Sequence, residues 1–334
     1  MGIIKEYWDV FCEEGLRNNI RGFIFRVDTG NFQPVCCKTP RYGHHETGPI
    51  NTLLQRLEDN GLIEDDFGPW GAQIVLAAKA NQEGVSYKDY QWRLCVSYRR
   101  LNTITRPYAY PIPRCDDAVT DIGPEARYFI KLDLDSGYWQ VTVEKQSRDR
   151  LAFFTPTGKK HFNAMPMGVL NAQPVFVAMM NTIQAEWIQK TLEAGIPNCG
   201  SKVIVDDILL HAYTIPHLFT FFRIVLHTLR HYRATVKLKK CKFLPNRCEF
   251  VGVDILPEGN SPEQSKYNVF ANLPCPATWS DLRMVIGMFG FYGQWLQNYE
   301  VRIRPWRDLQ KLQPNPGTLT QEEEQESFTQ LWTN

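Results

Sequence analysis

Two adjacent carboxylates, Asp206 and Asp207, sit inside the aliphatic run VIVDDILLHA (203–212). Burying one unpaired carboxylate is costly, and burying two like charges side by side costs more. Two readings of the run are open. In the first, Asp206-Asp207 is the turn of a hairpin between VIV and ILL, since Asp is common in turns. Without Gly or Asn beside it, however, this makes a poor two-residue hairpin turn. In the second, the turn holds two acids at a sheet edge for a divalent cation. Mg²⁺ takes hard oxygen ligands from one or two carboxylates and completes its shell with water and substrate phosphates. A third acid shifts the balance. Asp133 ends the strand YFIKLDL (128–134), on the face opposite Ile130, Leu132 and Leu134. If that strand neighbours the hairpin, three carboxylates converge, and such a cluster repels itself unless cations are present. Two ions about 3.5–4 Å apart turn it into a clamp for in-line displacement at phosphorus, the chemistry of phosphoryl and nucleotidyl transfer. Asp135 reads as a turn residue before Ser136-Gly137.

Several elements must position these acids. TGPINTLLQRLEDNGLI (47–63) reads as a helix capped by Thr47, with Pro49 in its first turn and Gly61 at its end. AQIVLAAKA (72–80) and WRLCVSYRRLN (92–102) read as the two strands of a hairpin, joined by a polar turn. LAFFTPTGKKHFN (151–163) is a second hairpin, turned at Pro156-Thr157-Gly158. Helices are expected over about 171–194, 218–233 and 279–298, with a short amphipathic one from Tyr7 to Leu16. CEFVGVDIL (248–256) is a strand or tight hairpin. Strands and helices do not alternate strictly as β-α-β, which predicts an α+β sheet rather than a doubly wound parallel one.

Composition bounds the function only loosely. The 334 residues suggest two or three domains. Lysine plus arginine (37) nearly cancel aspartate plus glutamate (36), so any basic surface must be local. Nine cysteines without a C-x-x-C pair predict reduced thiols in an intracellular protein rather than a zinc site. The charged N-terminus is no signal peptide, and no apolar run is long enough to span a membrane.

Seven blocks, in order, resemble the reverse transcriptase of Gypsy-type LTR retrotransposons and, more distantly, of retroviruses. They are GPWGAQIVLAAKA, WRLCVSYRRLNTITRPYAYPIPRCDD, YFIKLDLDSGYWQV, LAFFTPTGKKHFNAMPMGVLNAQPVF, VIVDDILLHA, KKCKFLPNRCEFVGVDI and SDLRMVIGMFGFYGQWLQNY. The resemblance covers about residues 46 to 312. It implies a right-hand polymerase fold: an N-terminal arm (1–48), fingers (49–106 and 141–171), a palm with an antiparallel sheet (107–140 and 172–257), a thumb (258–315) and the start of a connection segment (316–334). It also implies a DNA polymerase templated by RNA or DNA. Its cofactor would be Mg²⁺, or Mn²⁺ in its place, and its partners a primed template and dNTPs.

The resemblance carries over residue by residue. Asp133 matches the first catalytic aspartate. Asp206 and Asp207 match the pair in the family's Tyr-x-Asp-Asp box, with Ile204 standing where Tyr is usual. Tyr138 occupies the steric-gate position, where a ring under the sugar would clash with a 2′-OH; simple aromatic packing is its plainer role. Arg93 and Lys79 match cationic clamps on the incoming triphosphate, their plainer role being exposed strand charge. Ser97 stands where the family usually has Asp. Met167 lies beside the nucleotide pocket, and Gly168 lets the backbone approach closely. Lys240, among the lysines at 239, 240 and 242, is the candidate general acid for the leaving pyrophosphate, unless this is only a solvated basic loop. Phe250, Val251 and Gly252 match the primer grip. In the thumb, Phe291-Tyr292-Gly293-Gln294-Trp295 lacks the family's Arg-Arg pair, which should weaken backbone contacts. The chain is expected to be a polymerase core of a polyprotein that elsewhere holds protease, RNase H and integrase segments. Its expected location is the cytoplasm or a virus-like particle, or the nucleus. The rivals are an RNA polymerase of the same fold, against which Tyr138 argues, and a domesticated or degenerate element that binds nucleic acid without polymerising.

Overall fold

Phe129, Ile130 and Leu132 are buried along Tyr128–Asp133 while Lys131 and Asp133 stay partly exposed, and the strand they build (β4 below) is an inner strand of the four-stranded sheet. The computed structural model describes residues 2–12, 19–78, 91–113, 122, 126–256, 259–314, 323 and 325–329. In chain order the elements used here are α1 (His44–Asp59), β1 (Ile63–Asp65), β2 (Gln73–Ala78), β3 (Trp92–Ser97), α2 (Arg99–Ile104), β4 (Tyr128–Asp133), β5 (Phe153–Thr155), β6 (Gly158–Phe162) and α3 (Ala172–Glu193). They continue with β7 (Cys199–Ile204), β8 (Asp207–Ala212), α4 (Ile215–Tyr232), β9 (Lys242–Phe243), β10 (Cys248–Phe250), β11 (Val253–Leu256), β12 (Gly259–Pro262), α5 (Gln264–Ala271), α6 (Trp279–Tyr292) and α7 (Tyr299–Lys311). The chain divides into two compact units, Met1–Arg114 with Glu125–Pro245, and Cys115–Pro124 with Asn246–Asn334.

In the first unit β7, β8, β4 and β9 form an antiparallel sheet in that order. Two helices supply its apolar cover. In α3, Phe176, Met179, Met180, Ile183 and Trp187 recur at three- and four-residue intervals and are all buried. The Trp187 indole donates to Ser201 Oγ on β7 at 2.9 Å, which ties that helix to the sheet. In α4, Leu218, Phe221, Phe222, Val225, Leu226 and Leu229 do the same. Thr214 caps α4 by accepting from the His217 amide at 3.3 Å, and Pro216 occupies its first turn. The same unit holds a three-stranded sheet in the order β1-β6-β5 and the β2–β3 hairpin, whose register runs from Gln73↔Ser97 to Ala78↔Trp92.

The second unit opens with the antiparallel sheet β10-β11-β12 and continues as helices. Trp279 and Leu282 of α6 pack with Phe328 in a small core of their own. Thr278 and Asp281 form a reciprocal capping box at the start of α6.

Four expected elements differ. The first helix starts at His44, not Thr47, because Glu46 reaches back to the Gly43 amide at 2.7 Å, while Thr47 Oγ1 bonds to the Gly43 carbonyl from inside the helix. The strand expected over 92–102 stops at Ser97. Tyr98 is buried there with its hydroxyl on the Leu151 carbonyl at 3.1 Å, and the chain turns into α2. The helix expected from Tyr7 is instead a turn of helix at Gly2–Glu6 followed by a tighter one at Trp8–Val10. Phe11 and Cys12 then pair in parallel with Val236 and Lys237, and this pairing with burial of Phe11 outweighs local helix preference. The helix expected over 279–298 breaks after Tyr292, where Gly293 lies so close to the Tyr299 ring that a Cβ would clash.

Candidate active site

The register Asp207↔Asp133 brings the acids together: the first residue of β8 lies directly across from the last of β4. The β7–β8 hairpin pairs Ile204 with Asp207, so its two-residue turn is Val205-Asp206 rather than the Asp206-Asp207 turn read from sequence. Val205 has φ 52°, a left-handed conformation rarely taken by a β-branched residue. The turn is held from β4's end, since the Leu134 amide donates to the Asp206 carbonyl at 3.0 Å.

The three carboxylates have different surroundings. Asp133 accepts from Lys240 Nζ on both oxygens, at 3.0 and 3.1 Å. Asp207 pairs with Lys131 Nζ at 3.1 Å. Among the described residues Asp206 has no such partner, and its Oδ1 is buried without a hydrogen bond. Burial first, then the charges of Asp133 and Asp207, push its carboxyl up to about 6, against the pull of Lys240. Gly137 explains how so buried an acid fits: a Cβ there would collide with Asp206 Oδ1 and the Phe176 ring.

Tyr138 follows Gly137 in a short helical turn and is half-buried, edge-on to Phe176 with ring centroids 5.0 Å apart. Burial and the neighbouring Asp206 charge both raise its hydroxyl pKa. Asp135 lies in a turn, as expected, and is buried, 3.7 Å from Lys237 Nζ.

Asp206 offers an orphaned hard oxygen beside two further carboxylates, which suits Mg²⁺ or Mn²⁺ by donor chemistry. Among the described residues, no three His, Cys, Asp or Glu side chains stand ready as a cage for an ion. Lysine ammonium groups instead hold Asp133 and Asp207.

Other expected site residues fall as follows. Arg93 is exposed on β3, opposite Ala77. Met167 is 61% exposed. Gly168 has φ +87°, and a Cβ there would meet nothing closer than 3.8 Å. Its positive φ favours glycine at this position. Lys79 lies outside the described residues. Phe250, Val251 and Gly252 are in the second unit: Phe250 is buried, and Val251-Gly252 is the turn of a hairpin pairing Phe250 with Val253. Sequence reasoning passed over Lys131, Gly137 and Gln140. Lys131 carried a readable signal, being two residues before Asp133 and on the same face of the strand.

Residues 85–255, just over half of the chain, match the family model described as reverse transcriptase (RNA-dependent DNA polymerase). The chain belongs to the reverse transcriptase family. Among curated relatives it is similar to the retrovirus-related Pol polyprotein from transposon opus of Drosophila melanogaster, 28% identical over 284 residues, covering 85% of this chain and 27% of the relative. The Pol polyprotein from transposon 297 of the same fly is 26% identical, covering 91% of the chain and 28% of the relative. The transposon Tf2-3 polyprotein of Schizosaccharomyces pombe is 26% identical, over 92% and 22% respectively. The chain thus spans about a quarter of the length of these relatives. Among solved structures it is similar to a foamy viral protease-reverse transcriptase dRH in complex with double-stranded DNA, with TM-score 0.80 at 19% identity, covering 99% of this chain and 55% of the other. A foamy viral protease-reverse transcriptase in complex with RNA/DNA hybrid gives TM-score 0.77 at 19% identity, over 99% and 42%. Those likenesses establish the α+β polymerase fold.

Proposed function

We propose that this chain is the polymerase core of a retrotransposon reverse transcriptase, extending a primer 3′-OH with dNTPs on an RNA or DNA template. The observation that carries this reading is the acid arrangement: Asp133 faces Asp207 across the sheet, and beside them Asp206 keeps a buried oxygen that no group among the described residues satisfies. A domain that only bound nucleic acid would gain nothing from keeping that cost.

Asp133 and Asp206 would hold Mg²⁺, or Mn²⁺ in its place, with Asp207 assisting. When bound, such ions activate the primer hydroxyl and neutralise charge gathering on the α-phosphate. The chain's own side chains do the rest. Tyr138, beside Asp206, would close the space under the sugar against a 2′-OH. Arg93, and Lys79 with it, would clamp the triphosphate, with Met167 and Gly168 along the nucleotide pocket. Lys240, already on Asp133, would give a proton to the leaving pyrophosphate. Phe250, Val251 and Gly252 would grip the primer. In this reading the first unit supplies fingers and palm, and the second the thumb with the primer-grip sheet.

The relatives are polyproteins, so the natural partners would include neighbouring protease, RNase H and integrase segments. No helix among the described residues is long and apolar enough to cross a membrane. A virus-like particle in the cytoplasm, or the nucleus, would be its working place.

Primer extension tests the reading. With Mg²⁺ and dNTPs, the wild-type chain should extend a DNA primer on both RNA and DNA templates. Extension no better than that of an Asp206→Ala, Asp207→Ala double variant would reject it and leave a nucleic-acid-binding protein.

A further inference from the structure

Gln140 is fully buried, and it touches none of the acids. Leu134, Val141 and Val236, next in sequence to Asp135, Gln140 and Thr235, are buried core residues, and a polar side chain in such a place is costly unless its donors and acceptor are engaged. Both donors and the acceptor oxygen are engaged, all with main chain. Nε2 donates to the Asp135 carbonyl at 2.8 Å and to the Thr235 carbonyl at 2.9 Å. Oε1 accepts from the Thr235 amide at 2.8 Å. Both amide hydrogens are thereby spent, which fixes the orientation of the group, since a flipped carboxamide would face two carbonyls with its oxygen.

The two segments it joins both lead into the candidate site. On one side, Asp135 belongs to the loop between Asp133 and Tyr138, which also contains Gly137 against Asp206. On the other, Thr235 opens the segment that carries Lys237, 3.7 Å from Asp135, and Lys240, bound to Asp133. Main-chain links run alongside: the Asp135 amide donates to Thr235 at 3.1 Å, and Leu134 bridges Val236. The backbone of Gln140 itself is held by the Ile20 amide at 2.7 Å.

We propose that Gln140 is a positioning residue for nucleotide selection, its buried carboxamide fixing the loop from Asp133 to Tyr138 against the segment that bears Lys240. The proposal deepens the polymerase reading and rests on Tyr138 acting as the sugar gate. An apolar residue at 140 would leave the Asp135 carbonyl and the Thr235 amide without partners. The loop would then settle differently, moving Tyr138 relative to Asp206. Selectivity between sugars depends on that relation more steeply than stability does.

The test compares kcat/KM for dCTP and CTP on a primed RNA template, well below each variant's melting temperature, for wild type, Gln140→Leu, Gln140→Glu and Tyr138→Ala. Gln140→Glu is nearly isosteric, keeps the acceptor toward Thr235 and loses at least one of the two donors, so it decides the matter if Gln140→Leu is too unstable to assay. Both Gln140 variants should lower the dCTP/CTP ratio by about tenfold, through a raised KM for dCTP and a gained rate with CTP. A variant that melts earlier but keeps the wild-type ratio would reduce Gln140 to a structural residue and overturn the proposal, whatever Tyr138→Ala does. If Tyr138→Ala leaves the ratio unchanged, the gate reading fails, and with it the route by which Gln140 would act on selection; a lowered ratio in Tyr138→Ala beside an unchanged one in the Gln140 variants would keep the gate and overturn this proposal alone.

Discussion

Two hairpins in this chain turn in nearly the same way, for different ends. Val205-Asp206 joins Ile204 to Asp207, and Val251-Gly252 joins Phe250 to Val253. Each begins with a valine in the left-handed region, at φ 52° and 53°. In the second turn the next residue, Gly252, is also left-handed at φ 78°, the pattern favoured in two-residue hairpins. Its carbonyl accepts from the Tyr292 hydroxyl at 3.3 Å and the Glu263 amide at 3.2 Å, so packing repays the strain. In the first turn Asp206 takes the glycine's place; its carbonyl likewise accepts a bond, from the Leu134 amide, but its buried Oδ1 has no hydrogen-bond partner among the described residues. Strain alone therefore does not mark the functional turn. An unrepaid cost does.

The sharpest way to break this contrast is Asp206→Ala. We expect extension to fall by at least about a thousandfold, a loss typical of removing a group from an interdependent catalytic set. The thermal stability at pH 8 should hold or rise, since an unpartnered buried charge is gone. A melting temperature that falls with activity would make Asp206 a residue that holds the fold.

The far end of the Val205-Asp206 hairpin offers a pH test. His211 lies over Gly200, and burial, with the Lys202 charge second, lowers its pKa to about 4. Its folded value is below the ordinary one of 6.5, so the unfolded chain binds the extra proton between these limits. Its contribution to stability is present above pH 6.5 and lost as pH falls toward 4, by about 2–3 kcal/mol. Denaturant titrations across that range should show a slope that His211→Phe flattens; an unchanged slope would mean the ring is not held neutral by burial.

Smaller effects test the turns themselves. Gly252→Ala should cost about 1–2 kcal/mol, measured by urea unfolding, because alanine resists its left-handed φ. Val251→Asn and Val205→Asn should each gain about 0.5–1 kcal/mol, since Asn tolerates that conformation. Val205→Asn should also change the extension rate relative to wild type. Equal rates would mean that the strain at Val205 serves the hairpin alone.

Much of the site was legible because alternation along 128–134 put Lys131 and Asp133 on one face and the aliphatics on the other. The family blocks then named the partners. The turn register was not legible. Residue preferences place Asp, not Val, at a turn centre, and only pairing of Asp207 with Asp133 forces Val205 into a left-handed position. The Lys131–Asp207 pair depends on that same register. Gln140 was invisible for another reason: its partners are main-chain groups, and those at Thr235 lie on a segment far along the sequence. Helix ends slipped where a neighbour overruled local preference, as with Glu46 capping Gly43 and Tyr299 against Gly293.

The central claim is that the unrepaid carboxylate belongs to nucleotidyl transfer. Single-turnover incorporation of one dTTP on poly(rA)·oligo(dT), titrated with Mg²⁺, tests it directly in wild type and Asp206→Asn. The account predicts a saturable, Mg²⁺-dependent rate in wild type that collapses in the variant at every Mg²⁺ concentration. An Asp206→Asn chain that incorporates dTTP at the wild-type rate would contradict it.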